Sequence, residues 1–570
     1  MPATIKLEHS AQRTLFGGLL AEVQDPAEKD VARGNSGPSD AASSPRPPVR
    51  FIDRNPETIL IGGQRLRDFL KDTDQQEVIY LREFLRSLDW SEFEARYRSN
   101  GKGGRPPYHP AVMVGVILLG FMSGRSSLRA LEKLARRDVG AWWLTGGIYP
   151  DHSGFGRFVN LHAETLTDSF FVELTTKVVE ATGCDLGTLS GDGTVVQAAA
   201  SQIRTLRLEA AETAAEKART KSDKDPDSRQ KQATAEFAEK TAKVARERAR
   251  ERKRKGRDPA TTRVSPTEPE AMLQPLKRGG HAPSYKPSVL ATTNRIVVGH
   301  NLDPANEPVQ VESMLDQANR VAARCGEPPA SRLLLDAGYF CALILRLALR
   351  RGLDLLCPEG KNGGLKCSSK YFPKSAFVYD EVRDVYRCPA GEELRPRPKA
   401  PEYAAEPSDT LYRGAPCADC RLRSQCTKAK RGRTIRRTEH DDLKDAQRLV
   451  MSQPRAQEAY KPRMGAVEPV FSELREVQGL RRFRRRGPAK ARLEFALHAL
   501  AHNTRKYLPH AARNGADAAQ NAWSYLGRRL SAVWCAAKEA IIQASAALAE
   551  PPRNLRNSSQ FRGVLAIGAV

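Results

Sequence analysis

The chain has 570 residues, which at roughly 150 residues per domain leaves room for three to four folded units, each with a core. Its 92 Lys and Arg outnumber 67 Asp and Glu, for a formal charge of +25, a field that favours a polyanionic partner, nucleic acid ahead of an anionic membrane. The longest apolar run, Val112 to Met122 interrupted by Gly115 and Gly120, is shorter than the roughly 18 residues a bilayer span requires, so no membrane segment is expected. The opening residues lack the basic start, apolar core and small-residue cleavage site of a secretory signal. The ten cysteines therefore read as reduced thiols or metal ligands in a cytoplasmic protein.

Residues 1–55 are expected to form a disordered tail, because 22–50 are rich in Pro, Ser, Ala, Gly and charge with little to bury. Residues 56–170 carry helical periodicity. Pro110 suits the first turn of an apolar helix ending near Ser123-Gly124, and Ser126-Ser127 suit the cap of a second that carries Leu128, Leu131 and Leu134. A third is expected after Asp151. This all-α unit reads as a DNA-binding domain of helix-turn-helix type or as a helical packing module. Gly101 to Arg105 reads as a flexible basic linker.

From 171 to 510 the pattern is mixed α/β. Leu186–Val196, Ser288–Val298, Arg332–Leu335 and Leu353–Leu356 read as short strands bounded by Gly, Pro and Asn. Between the first two, 198–262 reads as an inserted helical hairpin whose basic end, with Lys253, Arg254 and Lys255, is either a solvated face or an arm that tracks phosphates. From 358 to 440 the strand pattern lapses into a cysteine-bearing insert. Helical periodicity returns at Leu443 and runs through Leu508, and 511–570 reads as a C-terminal helical extension without an assigned role.

Three acids stand out. Asp192 lies inside a strand between Gly191 and Gly193, where a carboxylate is costly to bury unless it is paired or binds metal. Asp336 follows the apolar Leu333-Leu334-Leu335, at the carboxyl end of a central strand where open α/β sheets place ligands. Either Asp alone also reads as a strand-end cap or turn residue. Glu468 begins a polar stripe with Ser472 and Arg475 beside the apolar stripe Val467, Val470, Phe471 and Leu474. Pro469 suggests a helix start with Glu468 at its cap.

The segments LSGDGTVVQAAAS, LLLDAGYF and VEPVFSELREVQGLRRFRRRG, followed by ALHALAHNTRKY, resemble the three acidic motifs and trailing helix of bacterial insertion-sequence transposases of the DDE class. The segment GRPPYHPAVMVGVILLGFMSGRSSLRALEKLARRD is similar to the helical N-terminal domain common in that group. The resemblance runs from about Arg65 to Tyr507. It implies an RNase H-like mixed-sheet catalytic domain with helical and cysteine-rich insertions, preceded by an all-α domain, with Asp192, Asp336 and Glu468 as catalytic, metal-binding triad. The family's Tyr-Arg-Glu-Lys signature falls on Tyr460, Arg463, Glu468 and Arg475, with Arg in place of Lys and one residue more between Arg463 and Glu468.

Three carboxylates gathered together need a counter-charge, since each pair about 4 Å apart repels by roughly 4 kcal/mol at an effective dielectric near 20. Mg²⁺ or Mn²⁺, as two ions, would meet that need and drive DNA hydrolysis at element ends, then transesterification into target DNA. Arg463 and Arg475 would contact phosphates. The basic run Arg481, Arg482, Arg484, Arg485 and Arg486 is the sharpest positive cluster beside the site, with Phe483 either stacking on a base or anchoring the turn to the core. The implied partners are double-stranded DNA at element ends and target, and a second copy of the chain in a homodimer or higher oligomer; the location would be the bacterial nucleoid. Two other readings are a non-catalytic DNA-binding or regulatory protein derived from a transposase, and a metal-dependent nuclease without strand transfer.

Cys417-x2-Cys420-x5-Cys426, with Cys388 upstream, reads either as a four-thiolate zinc site or as free thiols. His498 and His502 share a helix face, but no Glu directly follows His498, so they read as packed side chains.

Overall fold

The period change after Gly183 marks the passage from helix to sheet. In the computed structural model, which describes residues 49–97, 106–276, 279–360, 371–397, 410–414, 417–438 and 440–514, a helix ends at Thr182 with Gly183 in the left-handed region at φ 59°. That conformation suits a residue without a Cβ. The tail before Val49, the Gly101–Arg105 linker and the C-terminal extension from residue 515 lie outside the described residues.

N-terminal to this point the helices form as their caps dictate. Helix α1 (Pro110–Met122) begins on His109, whose Nδ1 accepts from the Ala111 amide. Ser127 Oγ accepts from the Ala130 amide to start Leu128–Arg137. Asp151 Oδ1 accepts from Gly154 to start His152–Leu161. The apolar run of α1 is buried all round, which explains its lack of a polar face without invoking lipid. No described helix is long and apolar enough to cross a membrane. The buried side chains of these helices are continuous with those of the sheet, and Phe84 stacks on Tyr507 at 4.1 Å.

The main sheet is seven-stranded. Its centre is β1 (Thr188–Gly193). On one side β2 (His281–Ala291) pairs antiparallel with β1, and β3 (Val297–Asp303) pairs antiparallel with β2. On the other side β4 (Arg332–Leu334) runs parallel to β1, and β5 (Asp354–Leu356) parallel to β4. Val196–Gln197 and Met272–Pro275 add to the first half of β2. The expected strand Ser288–Val298 is thus the end of one strand and the start of the next. The turn between them closes through Arg295 N–H to Thr292 O and Thr292 N–H to Ile296 O, with Arg295 at φ 66°. An apolar stretch interrupted by Thr-Thr-Asn-Arg carries no glycine to announce that turn.

The inserted helical hairpin comprises α2 (Leu208–Asp223) and α3 (Arg229–Arg254). Buried Ala211, Ala215, Ala242, Ala245 and Ala249 let the two backbones approach closely. Arg248 ties the arm to the sheet by donating to the Glu270 and Ala271 carbonyls. Helix α4 (Val311–Arg324) joins β3 to β4 and α5 (Ala342–Arg351) joins β4 to β5. Gly299 permits the closeness of β3 and α4: a Cβ there would sit 2.3 Å from Met314 O.

The expected lapse of strand structure in 358–440 is corrected by a five-stranded antiparallel sheet over Val378–Asp380, Val385–Arg387, Glu393–Arg397, Thr410–Gly414 and Thr434–Arg437. Each strand is three to five residues long, and among the described residues the buried apolar cluster of this small core comprises Phe377, Tyr386, Leu394, Tyr412 and Ile435. Arg and Tyr fill the other positions, so the hydrophobic alternation is faint. Two long helices complete the described chain, α6 (Pro462–Glu476) and α7 (Pro488–Asn514).

Candidate active site

Strand register brings two of the three acids together. Ser190 of β1 lies opposite Leu334 of β4 in a parallel pair, so Asp192 and Asp336, each two residues further on, emerge side by side at the carboxyl ends. Gly191 is required for packing: a Cβ there would meet Leu335 Cδ2 at 2.4 Å and Leu290 Cδ2 at 2.9 Å. Gly193 is crowded likewise by the Glu307 carboxylate, 2.7 Å from a would-be Cβ. The room left by these glycines is filled by neighbouring side chains.

Asp192 Oδ1 accepts from the Gly193 amide at 2.9 Å, and its side chain is 21 % exposed. Burial lifts its carboxyl to about 6 even though Arg463 and the Gly193 amide pull it down, and the negative charges of Asp336 and Glu307 add to the rise. Asp336 is more open, at 43 %. Its Oδ1 accepts from the Gly338 amide at 2.9 Å and caps the turn Ala337–Tyr339, leaving Oδ2 to face Arg463. The strand-end turn and the site-facing carboxylate are therefore one residue.

Arg463 departs from the expectation of a phosphate contact. Its side chain is 8 % exposed, and Nη2 lies 3.2 Å from Asp192 Oδ1 and 3.9 Å from Asp336 Oδ2. The same nitrogen donates to Gly191 O at 3.4 Å. Tyr460 O–H donates to Leu335 O at 3.0 Å, which fastens the approach to α6 onto the residue between β4 and Asp336.

Helix α6 begins six residues before Glu468, which corrects the expectation of a start at Pro469. A proline inside a helix leaves the carbonyl four residues earlier without its amide partner. Here that carbonyl belongs to Gly465, and Arg295 Nε from the β2–β3 turn donates to it at 3.1 Å. The contact takes up the loose backbone group and lets the helix continue. Val467, Val470, Phe471 and Leu474 face the core as expected. Glu468 and Ser472 are exposed, Arg475 is half-buried, and the Asp192 charge acts on Arg475 against the lowering effect of its burial. Glu468 itself has no ion-pair or hydrogen-bond partner among the described residues and is not drawn in beside the two aspartates. Among those residues no three His, Cys, Asp or Glu side chains converge closely enough to hold a metal ion. The donors at the two strand ends are nonetheless hard carboxylate oxygens turned toward one cation, Arg463, which is the donor chemistry that suits Mg²⁺ or Mn²⁺.

Sequence reading passed over Glu307 and Tyr339. Glu307, paired with Lys286 at 3.3 Å, presses on Gly193. Tyr339 is buried with its hydroxyl near that of Ser288, and the charges of Glu307, Asp192 and Asp336 bear on it. Asn-Glu-Pro in a polar loop and Gly-Tyr after a strand carry no signal beyond a turn.

The arginine run is tied down more than its charge suggests. Arg481 pairs with Glu476, Arg482 donates to the Ala198 and Ala200 carbonyls, Arg484 to Ser126 and Arg485 to Asn160. Arg486 is exposed. Phe483 is buried edge-on to Tyr285, an anchor to the core. On the hairpin, Lys253, Arg254 and Lys255 are exposed, with Lys255 paired to Glu251. His498 and His502 are buried, on Gln478 and on Arg295 O respectively.

Cys388, Cys417, Cys420 and Cys426 line one small cavity of about 30 Å³ together with Phe377 and Arg433. Burial raises the Cys426 thiol, Arg433 opposes the rise, and the other three thiols add to it. Cys184 and Cys357 are buried, as expected for small apolar side chains, while Cys325 and Cys341 are half-buried; Cys367 and Cys535 lie outside the described residues.

Two family models match the chain. One, described as a transposase DDE domain, covers residues 387–508, including Arg463, Glu468, Arg475 and the four cysteines of the cavity. The other, described as a transposase domain (DUF772), covers residues 65–161, the helical N-terminal region. Neither includes the strands of Asp192 and Asp336. No curated protein matches the chain.

Proposed function

We propose that this chain is an insertion-sequence transposase of the DDE class, a reading supported by the two matched transposase domains, and that Asp192, Asp336 and Glu468 carry a metal-dependent cutting and joining of DNA. The observation that carries the reading is the register of β1 and β4, which sets two carboxylates side by side at a sheet edge. The strand order β3-β2-β1-β4-β5, with three antiparallel strands followed by two parallel ones joined through helices, supports an RNase H-like domain.

In this reading Asp192 and Asp336 would hold Mg²⁺ or Mn²⁺, two ions in all, with Glu468 supplied by α6. Bound there, such ions supply Lewis acidity, which makes a water or a 3′-hydroxyl nucleophilic at neutral pH and stabilises the leaving oxygen. The carboxylates fix position, and Arg475 on the flank of α6 would orient a phosphate against them. Exposed Arg486 and the Lys253–Lys255 end of the hairpin would follow the DNA backbone, so affinity should fall steeply with salt. Pairing two element ends calls for at least two copies of the chain. The four cavity thiols, which line one cavity without converging on a point, would have to draw together to hold a structural Zn²⁺, a role supported by the small buried core of the five-stranded sheet among the described residues.

Glu468 standing apart from the aspartates favours a second reading, a DNA-binding protein that no longer cuts. Purified protein, DNA carrying the element ends, Mg²⁺ and a target plasmid separate the cases. Cutting and joining by the wild type, lost in Asp192→Asn, Asp336→Asn and Glu468→Gln while binding persists, supports the proposal. Equal cutting by those variants overturns it, binding alone selects the second reading, and nicking without joining selects a nuclease.

A further inference from the structure

Arg463 is the cation that the two aspartates already have. It sits in the first turn of α6, its side chain is 8 % exposed, and one nitrogen, Nη2, serves Asp192, Asp336 and Gly191 O at 3.2, 3.9 and 3.4 Å. Its Nε is buried without a partner. A buried arginine fixed for stability normally uses its planar fork on both carboxylate oxygens. Arg448 does so here, reaching Glu359 through Nε at 2.6 Å and Nη2 at 2.7 Å. Arg463 is held instead by charge through Nη2, with its buried Nε idle. Its backbone is fixed nearby through Tyr460 on Leu335 and Arg295 on Gly465, so the side chain can leave without moving the helix.

We propose that Arg463 is a built-in counter-cation that neutralises Asp192 and Asp336 in the metal-free protein and must release them before a divalent cation loads. It thereby lowers the metal affinity of the free enzyme and is a positioning residue acting through the acids. The inference rests on the reading of those aspartates as metal ligands. It also gives α6 two distinct contributions. Glu468 is five residues beyond Arg463, about 7.5 Å along the axis and on another face, so one helix carries the charge that holds the empty pair and the acid expected to complete the filled one.

Calorimetric titration of the chelator-treated full chain with Mn²⁺, without DNA, tests this. Arg463→Met should bind Mn²⁺ about tenfold more tightly than wild type, a change of about 1.4 kcal/mol, with the gain abolished by Asp192→Asn. Arg463→Gln, which keeps a polar contact for Gly191 O but no charge, should show the same direction. Unchanged or weaker binding in folded variants overturns the proposal, since an arginine that merely supports the site would loosen it when removed. If wild-type binding ignores Asp192→Asn, the metal reading itself fails. Melting of Arg463→Met, Asp192→Asn and the double variant in chelator then still tests the pairing: a double variant less destabilised than the sum supports it, and additivity overturns it.

Discussion

The main sheet and the five-stranded cysteine module solve the same problem by different means. Around β1 and β4, Leu189, Leu290, Leu333 and Leu335 are buried in a core continuous with the N-terminal helices and α7. The two aspartates are therefore fixed by a rigid apolar frame. The module has its own small cluster, separate from that core. It is bound to the rest by ion pairs, Lys374 with Asp441 and Arg437 with Asp442 and Asp445. Burial alone would raise the Asp441 carboxyl, yet Lys374, the Thr438 amide and Lys444 hold it well below the ordinary range. Asp384 gathers the Tyr379 and Tyr412 hydroxyls. The difference separates precision from attachment: the sheet fixes two carboxylates side by side, and the module is attached through charge.

The largest loss is expected on the sheet side, from Gly299→Val. The new Cβ would meet backbone, Met314 O at 2.3 Å, which no side-chain rotation relieves, so a loss above about 4 kcal/mol is expected, read as a failure to give a cooperative melt. Glu473→Gln comes next. Burial opposes its charge, but His502, Lys506 and Arg505 hold the Glu473 carboxyl down at about 2. Its stabilisation is present above the unfolded carboxylate value and is lost as pH falls toward 2. The variant should lose on the order of 2–3 kcal/mol at pH 7 and show less acid dependence between pH 5 and 2 in chemical denaturation.

On the module side, Cys417→Ser or prolonged chelation should open 371–437 to protease while moving the main melting transition by less than about 1 kcal/mol. A joint collapse of both regions would erase the distinction. The smallest effect is expected at Arg485→Ala. The side chain donates to exposed Asn160 at 3.3 Å, and its loss should cost about 0.5 kcal/mol in denaturant, with little change in DNA affinity.

The legible parts of the sequence were those with local causes. Caps at Ser127 and Asp151 lie beside the helices they start, and the apolar run before Asp336 marks its strand. Non-local causes hid the rest. Pro469 signals a helix start unless one knows that Arg295, 170 residues away, will satisfy Gly465. Arg463 faces inward because β1 and β4 meet beneath it, a contact no spacing within α6 reveals. The module strands were hidden because each buries so little apolar surface.

If Asp192, Asp336 and Glu468 together hold the catalytic cation, Fe²⁺ bound in place of Mg²⁺ will mark all three segments when ascorbate and hydrogen peroxide are added. Bound Fe²⁺ reduces added hydrogen peroxide to hydroxide and a hydroxyl radical that cuts the nearest backbone, ascorbate returns the Fe³⁺ to Fe²⁺, and the fragments can be mapped by mass. Scission should cluster near residues 192, 336 and 468, be suppressed by excess Mg²⁺ and be lost in Asp192→Asn. Cleavage spread evenly along the chain, or clustered away from these three segments, would contradict it.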